Sequence, residues 1–265
     1  MMVDDSTHAR TEVALSETIP ITATWCLSSL KEAFHMNQFS QVVAIDGPSG
    51  SGKSTVARTL ARELGLLYID TGAMFRALAT YADSNSVEFK EGPELTKFLN
   101  DIKMEYGISD DVLISIDGKD LTRAIREHRV SKLASIISQL PSVRTFLLKF
   151  QRDLAGERLC VMEGRDIGTV VFPNAFIKFF VTASVETRAM RRLEQLRASG
   201  DSNVEFDQVV GDVKKRDDTD TNRQVAPLKQ ADDAELVDTT NFTQDQIVEM
   251  LAHKVRVRLN EMTVN

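Results

Sequence analysis

The stretch Val42-Val43-Ala44-Ile45-Asp46-Gly47-Pro48-Ser49-Gly50-Ser51-Gly52-Lys53-Ser54-Thr55 passes from an apolar run, through a glycine-rich turn, to a lysine and two hydroxyls. The four apolar residues, mostly β-branched, are closed by Asp46-Gly47-Pro48. They have no polar face, which predicts a strand buried on both sides of a parallel sheet. Beyond the turn, Val56, Ala57, Leu60, Ala61 and Leu64 recur at helical spacing and stop at Gly65, which predicts a helix closed by a left-handed glycine. Strand, loop and helix in this order satisfy GxxxxGK[ST]. Glycines let the backbone fold around a triphosphate and aim consecutive N–H groups and the helix N-terminus at it. Gly47, Pro48, Ser49, Gly50, Ser51, Gly52, Lys53, Ser54 and Thr55 are therefore expected to bind ATP or GTP. Lys53 is expected to reach the β and γ phosphates, and Ser54 to offer its hydroxyl to Mg²⁺.

Working outward, short apolar strands are predicted at Leu66 to Ile69, Leu159 to Met162, Phe176 to Val181 and Glu235 to Val237, with helical patterns between them. The implied architecture is α/β, a parallel sheet of five strands flanked by helices. Two stretches depart from the alternation. Val112, Ile114 and Ile116 alternate before Asp117-Gly118, so an antiparallel hairpin is expected between about Lys103 and Leu121, forming a small accessory lobe. Ser202-x-x-Glu205 reads as a capping box for a helix running to Lys214-Lys215-Arg216, followed by a polar loop from Asp217 to Arg223. Thr243-x-x-Gln246 starts a C-terminal helix by the same logic.

The chain has 265 residues, 42% hydrophobic and 27% charged, which places it among ordinary folded domains of enzyme size. Its formal charge of −7 repels polyanions, so nucleic acid is not an expected partner. Cys26 and Cys160 are widely separated, and His8, His35, His128 and His253 form no HExxH, so neither a disulfide framework nor a zinc site is expected. A reducing cytoplasm fits best. No apolar run is long enough for a membrane span. Residues 1–40 show no sustained periodicity and read as a poorly ordered extension or a misassigned start, with Met36 just upstream of the first strand.

The loop motif gives a donor, not an acceptor. No Asn-Lys pair exists for guanine recognition, and no His-Arg-Asp or Asp-Phe-Gly for a serine/threonine-type protein kinase. Asp70-Thr71-Gly72-Ala73-Met74-Phe75-Arg76 follows the second predicted strand. Glu163-Gly164-Arg165-Asp166-Ile167-Gly168-Thr169-Val170-Val171-Phe172-Pro173 follows the third. Both lie where an open parallel sheet binds ligands, at carboxyl ends of strands. With Pro141-Ser142-Val143-Arg144 and the run Arg216-Asp217-Asp218-Thr219-Asp220-Thr221-Asn222-Arg223-Gln224-Val225-Ala226-Pro227-Leu228, the chain from Gln41 onward closely resembles the bacterial cytidylate kinase family.

The resemblance implies an adenylate-kinase-like P-loop core over residues 41–71, 156–187 and 224–265. It implies a nucleoside-monophosphate-binding region over 72–155, enlarged by the hairpin, and a helical lid over 188–223. It further implies that a monomer phosphorylates CMP and dCMP with ATP. Thr71, Arg76, Arg165 and Arg223 would face the CMP phosphate, Ser135, Arg144 and Asp166 the cytosine, and Arg216 and Asp220 the sugar. Arg188, Arg191 and Arg192 fall where the lid supplies arginines to the transferring group, so that Lys53, Arg165, Arg191 and Arg223 would be catalytic. Glu163 resembles an acid that orients Mg²⁺ together with Ser54. Thr71 stands where the family commonly has Ser, Phe75 where it has Tyr, Thr219 and Thr221 where arginines are frequent, and Glu163 where Asp is frequent.

The chemistry supports these expectations independently. A phosphate acceptor, with a second pKa near ~6, is already an oxyanion at neutral pH and needs no general base. What the reaction needs is two repelling phosphates held in line by guanidinium forks. A carboxylate at Asp166 accepts from the cytosine amino group and opposes the uracil carbonyl. Other acceptors, UMP, AMP or shikimate, form the alternative among small-molecule kinases, and a P-loop ATPase or nucleotide sensor the alternative of another class.

Overall fold

In a computed structural model that describes residues 34, 39–109, 111–198, 200 and 203–264, strand β1 (Ser40–Asp46) lies at the centre of a five-stranded sheet. Its neighbours are β6 (Cys160–Gly164) and β7 (Ala175–Thr182); β2 (Leu67–Asp70) adds outside β6 and β8 (Glu235–Asp238) outside β7, all parallel. Alternate residues of β1 feed different cores. Val42 and Ala44 pack with Ile69, Met162 and helix α2 (Thr71–Ser84). Val43 and Ile45 pack with Val161, Phe179 and helices α1 (Lys53–Leu64) and α8 (Gln244–Val264). Both faces are covered from Val42 to Ile45, which is why those four residues are all apolar. Cys160 is buried in β6, and burial pushes its thiol up to about 12.

Helix α1 ends at Gly65, φ 66°, whose N–H closes the last turn onto Ala61 and Arg62. The accessory lobe has three strands rather than two: β3 (Met104–Tyr106), β4 (Ile114–Ile116) and β5 (Lys119–Asp120). Asp117 (φ 50°) and Gly118 (φ 74°) both take the positive φ that a two-residue primed turn demands. Asp117 also fastens the lobe to the core by accepting from Lys103 N–H at 2.8 Å and from the Tyr81 hydroxyl at 2.9 Å. Helix α3 (Pro93–Asp101) leads into the lobe, and between the lobe and β6 lie α4 (His128–Ile137) and α5 (Pro141–Ala155). Helix α6 (Val185–Ala198) follows β7 and packs against α7 (Phe206–Asn222) through Ala189, Leu193, Val209 and Val213.

Two sequence readings need correction. Helix α7 does not begin in a capping box: Glu205 is the N-cap and makes no side-chain cap bond, while Ser202 lies outside the described residues. The polar stretch after Arg216 is helical through Asn222 rather than a loop, because Asp217 and Asp220 are paired with Arg188 and Arg165 reaching from other elements. The second capping box stands, with Thr243 and Gln246 exchanging bonds at 2.9 and 3.3 Å. Of residues 1–40, Phe34 is buried against Phe176, edge to face with centroids 5.3 Å apart. Apart from Phe34, Phe39 and Ser40, the expected extension lies outside the described residues. No helix among the described residues is long and apolar enough to cross a membrane.

Candidate active site

Because the sheet is parallel and in register, Asp46, Asp70, Glu163 and Gly164 end side by side. A cleft of about 720 Å³ opens there. One wall is the phosphate loop. Gly47 has no space for a side chain, since a Cβ would lie 2.0 Å from the Val181 carbonyl oxygen, and Gly50 (φ 78°) rests on the Arg188 backbone. Helix α1 starts from Gly52 with no side-chain cap, so its first N–H groups are left facing the cleft for an anion. Lys53 is buried beside them, its amine 3.2 Å from the Pro48 carbonyl. Burial, and next the Arg165 guanidinium, push its pKa down to about 7. Of the nine loop residues, Ser49 to Thr55 line the cleft, whereas Gly47 and Pro48 shape the turn behind it.

Glu163, 2% exposed, accepts from Ser54 Oγ at 2.8 Å and from the Tyr68 hydroxyl at 2.7 Å. Burial and the neighbouring Asp70 raise its pKa, against the pull of Lys53. The longer Glu, where Asp is frequent, spans from Ser54 on α1 to Tyr68 on β2. Ser54 and Glu163 form a pair of hard oxygen donors, and no cluster of three or more His, Cys, Asp or Glu that could hold a metal occurs among the described residues. Such a sparse donor set fits Mg²⁺, which keeps its waters and takes phosphate oxygens rather than a protein cage.

Opposite the loop, cations converge. Arg76 pairs with Asp70 at 3.0 Å, which also caps α2 through Ala73 N–H. Arg165 donates to Asp220 at 2.9 Å. Arg216 has a buried Nε with no partner, and burial, then Arg165, lower its pKa to about 10. Arg223 is likewise lowered to about 10 by burial and by Arg144. A buried guanidinium nitrogen without an acceptor is costly, and an anion beside it relieves that cost.

The expected base-reading residues come together. Arg144 and Asp166 form a buried ion pair, with Arg223 Nη2 at 3.5 Å from the other carboxylate oxygen. Arg144 is also tied to the Ser138 carbonyl at 3.2 Å and lies 5.4 Å over the Phe75 ring, so the aromatic face serves although the hydroxyl of Tyr is missing. Ser135 lines the same wall.

Several expected residues are already engaged. The Thr71 hydroxyl donates to the Glu163 carbonyl at 2.7 Å, and Asp220 is held by Arg165. Arg188 does not line the cleft: it forks onto Asp217 at 3.0 and 2.6 Å and donates to the Ser49 carbonyl at 3.2 Å. Arg191 donates to Thr239 Oγ1 at 3.0 Å and its carbonyl at 2.9 Å, and with Arg192 it lines the cleft. The sequence reading missed Thr239, Phe242 and Gln244 on the loop-side wall; Thr239 directly follows β8, and the strand-end rule would have found it.

A family model described as cytidylate kinase matches residues 43–257. The chain belongs to the cytidylate kinase family. A cytidylate kinase of Pelotomaculum thermopropionicum is 44% identical over 222 residues, covering 83% of this chain and 97% of that one. One of Shouchella clausii is 44% identical over 216 residues, covering 81% and 95%. One of Geobacter sulfurreducens is 42% identical over 218 residues, covering 82% and 93%. As a cytidylate kinase, the enzyme is a nucleoside monophosphate kinase that phosphorylates CMP, with ATP as the family's donor. The UMP, AMP, shikimate and ATPase readings are not favoured.

Proposed function

We propose that this kinase transfers the γ-phosphoryl group of ATP directly and in line to the phosphate of CMP or dCMP, as a cytoplasmic monomer. The observation that carries this reading is a phosphate loop facing a cluster of arginines across one cleft, among them Arg216 with a buried, unpartnered Nε, and the Arg144–Asp166 ion pair beyond it. The loop N–H groups and Lys53 bind the donor. Thr71, Arg76, Arg165 and Arg223 bind the acceptor phosphate, the arginines offsetting its repulsion from the donor and stabilising charge that spreads onto the equatorial oxygens, while Arg216 and Asp220 hold the sugar. Asp166 accepts from the cytosine amino group while Arg144 and Ser135 meet the remaining polar edge. Ser54 and Glu163 would hold Mg²⁺, which when bound neutralises the β and γ oxygens. Residues 188–223 form the lid, Arg191 and Arg192 reaching the donor side, and closure excludes water as a competing acceptor.

Release of ADP in a coupled assay tests the reaction. CMP and dCMP are expected to stimulate turnover. Turnover independent of acceptor, or stimulated only by another monophosphate, overturns the proposal. For the base contact, Asp166→Asn is expected to lower kcat/KM for CMP relative to UMP by about ten- to a hundredfold, the worth of one good polar base contact.

A further inference from the structure

An acidic residue at the start of a helical turn ordinarily caps it, accepting the N–H groups of the residues that follow. Asp166 occupies that position before the turn Ile167–Val171 and makes no such bond; its carboxylate is turned to Arg144 and Arg223. The N–H groups of Ile167 and Gly168 are accepted instead by Asp46, at 2.8 Å to Oδ1 and 2.7 Å to Oδ2. Asp46 closes β1, is 5% exposed and directly precedes the phosphate loop. The turn is seated tightly on it: a Cβ added at Gly168 would lie 3.4 Å from Asp46 Oδ2 and 3.0 Å from Lys178 Cδ.

We propose that Asp46 is a positioning residue for acceptor recognition: by capping the turn in place of Asp166, it leaves the Asp166 carboxylate free to read the pyrimidine. The same two bonds tie the acceptor-side turn to the strand that carries the donor loop. Without Asp46, two buried N–H groups lose their acceptors, and the carboxylate best placed to take them is that of Asp166, which would leave Arg144 to do so. The inference rests on the reading of Asp166 given under Proposed function.

Steady-state constants for CMP, UMP and ATP in Asp46→Asn, Asp46→Ala and Asp166→Asn test it. Assays run at pH 8, because burial pushes the Asp46 carboxyl up to about 7, against the two backbone bonds and with Asp166 and Arg165 as its charged neighbours. For Asp46→Asn, the KM for CMP is expected to rise about tenfold, the scale of one orphaned buried N–H, with the KM for ATP within about twofold. The CMP-to-UMP ratio of kcat/KM should fall with it. A lower melting temperature with that ratio unchanged means that Asp46 is merely structural and overturns the proposal. If Asp166→Asn itself leaves the ratio unchanged, the cytosine reading fails; if it collapses the ratio and Asp46→Asn does not, only the role of Asp46 fails. Should the Asp46 variants not fold, hydrogen exchange in the unaltered enzyme decides: strand-like protection of the Ile167 and Gly168 amides supports the capping, and exchange at the unprotected rate overturns it.

Discussion

Lys53 shows how a single side chain inherits its chemistry from the fold. The motif requires a lysine, but its buried seat beside Arg165 and Arg216 brings its pKa down to about 7, so at pH 8 part of the protein carries it neutral. A triphosphate restores the charged form. ATP binding at pH 8 is therefore expected to take up protons, seen as a dependence of the calorimetric heat on the ionisation enthalpy of the buffer. Lys53→Met should abolish that dependence, and equal heats in all buffers for the unaltered enzyme would contradict it. The free-protein sign is also set: a lysine whose folded pKa lies below its unfolded value binds fewer protons when folded. Its contribution to stability thus rises with pH between about 7 and 10.5.

At the level of elements, the tie from α6 through Arg188 to Asp217 on α7 and to the Ser49 carbonyl joins lid helices to phosphate loop. Asp217→Ala leaves a buried guanidinium without its carboxylate and is expected to cost about 3 kcal/mol, in the range for breaking a buried pair. Arg188→Ala should cost less than the sum when combined with it, a double-mutant cycle measured by chemical denaturation. The strands and α1 were legible in the sequence because burial on two faces, or on one helical stripe, leaves a periodic trace in residues such as Val42–Ile45 and Val56–Leu64. The end of α7 was not legible, because what holds Asp217 to Asn222 helical is ion pairing to Arg188 and Arg165, distant in the chain. The cleft was legible where motifs mark it, at Lys53, Arg144, Asp166 and Arg223. Asp46 and Tyr68 act on partners that no local pattern specifies, and Arg188 faces the protein rather than the cleft.

For the molecule as a whole, a net charge of −7 surrounds a cleft walled by arginines. Acceptor capture therefore depends on a local field that salt screens, with a Debye length of about 10 Å at 0.1 M and about 3 Å at 1 M. The kcat/KM for CMP is expected to fall steadily between those concentrations while the melting temperature holds. A flat profile would mean that the arginines act only on contact. Phe34, six residues ahead of the first strand, is part of the core, so Phe34→Ala should lose about 3–5 kcal/mol of stability, the usual cost of a deleted buried ring. The sealed thiol of Cys160 has a practical use. Reagents that seek thiolates will pass it by, so, with Cys26 replaced by serine, a cysteine introduced by Phe242→Cys at the cleft rim offers a selective anchor for a dye. Its emission could then follow nucleotide entry and departure in real time.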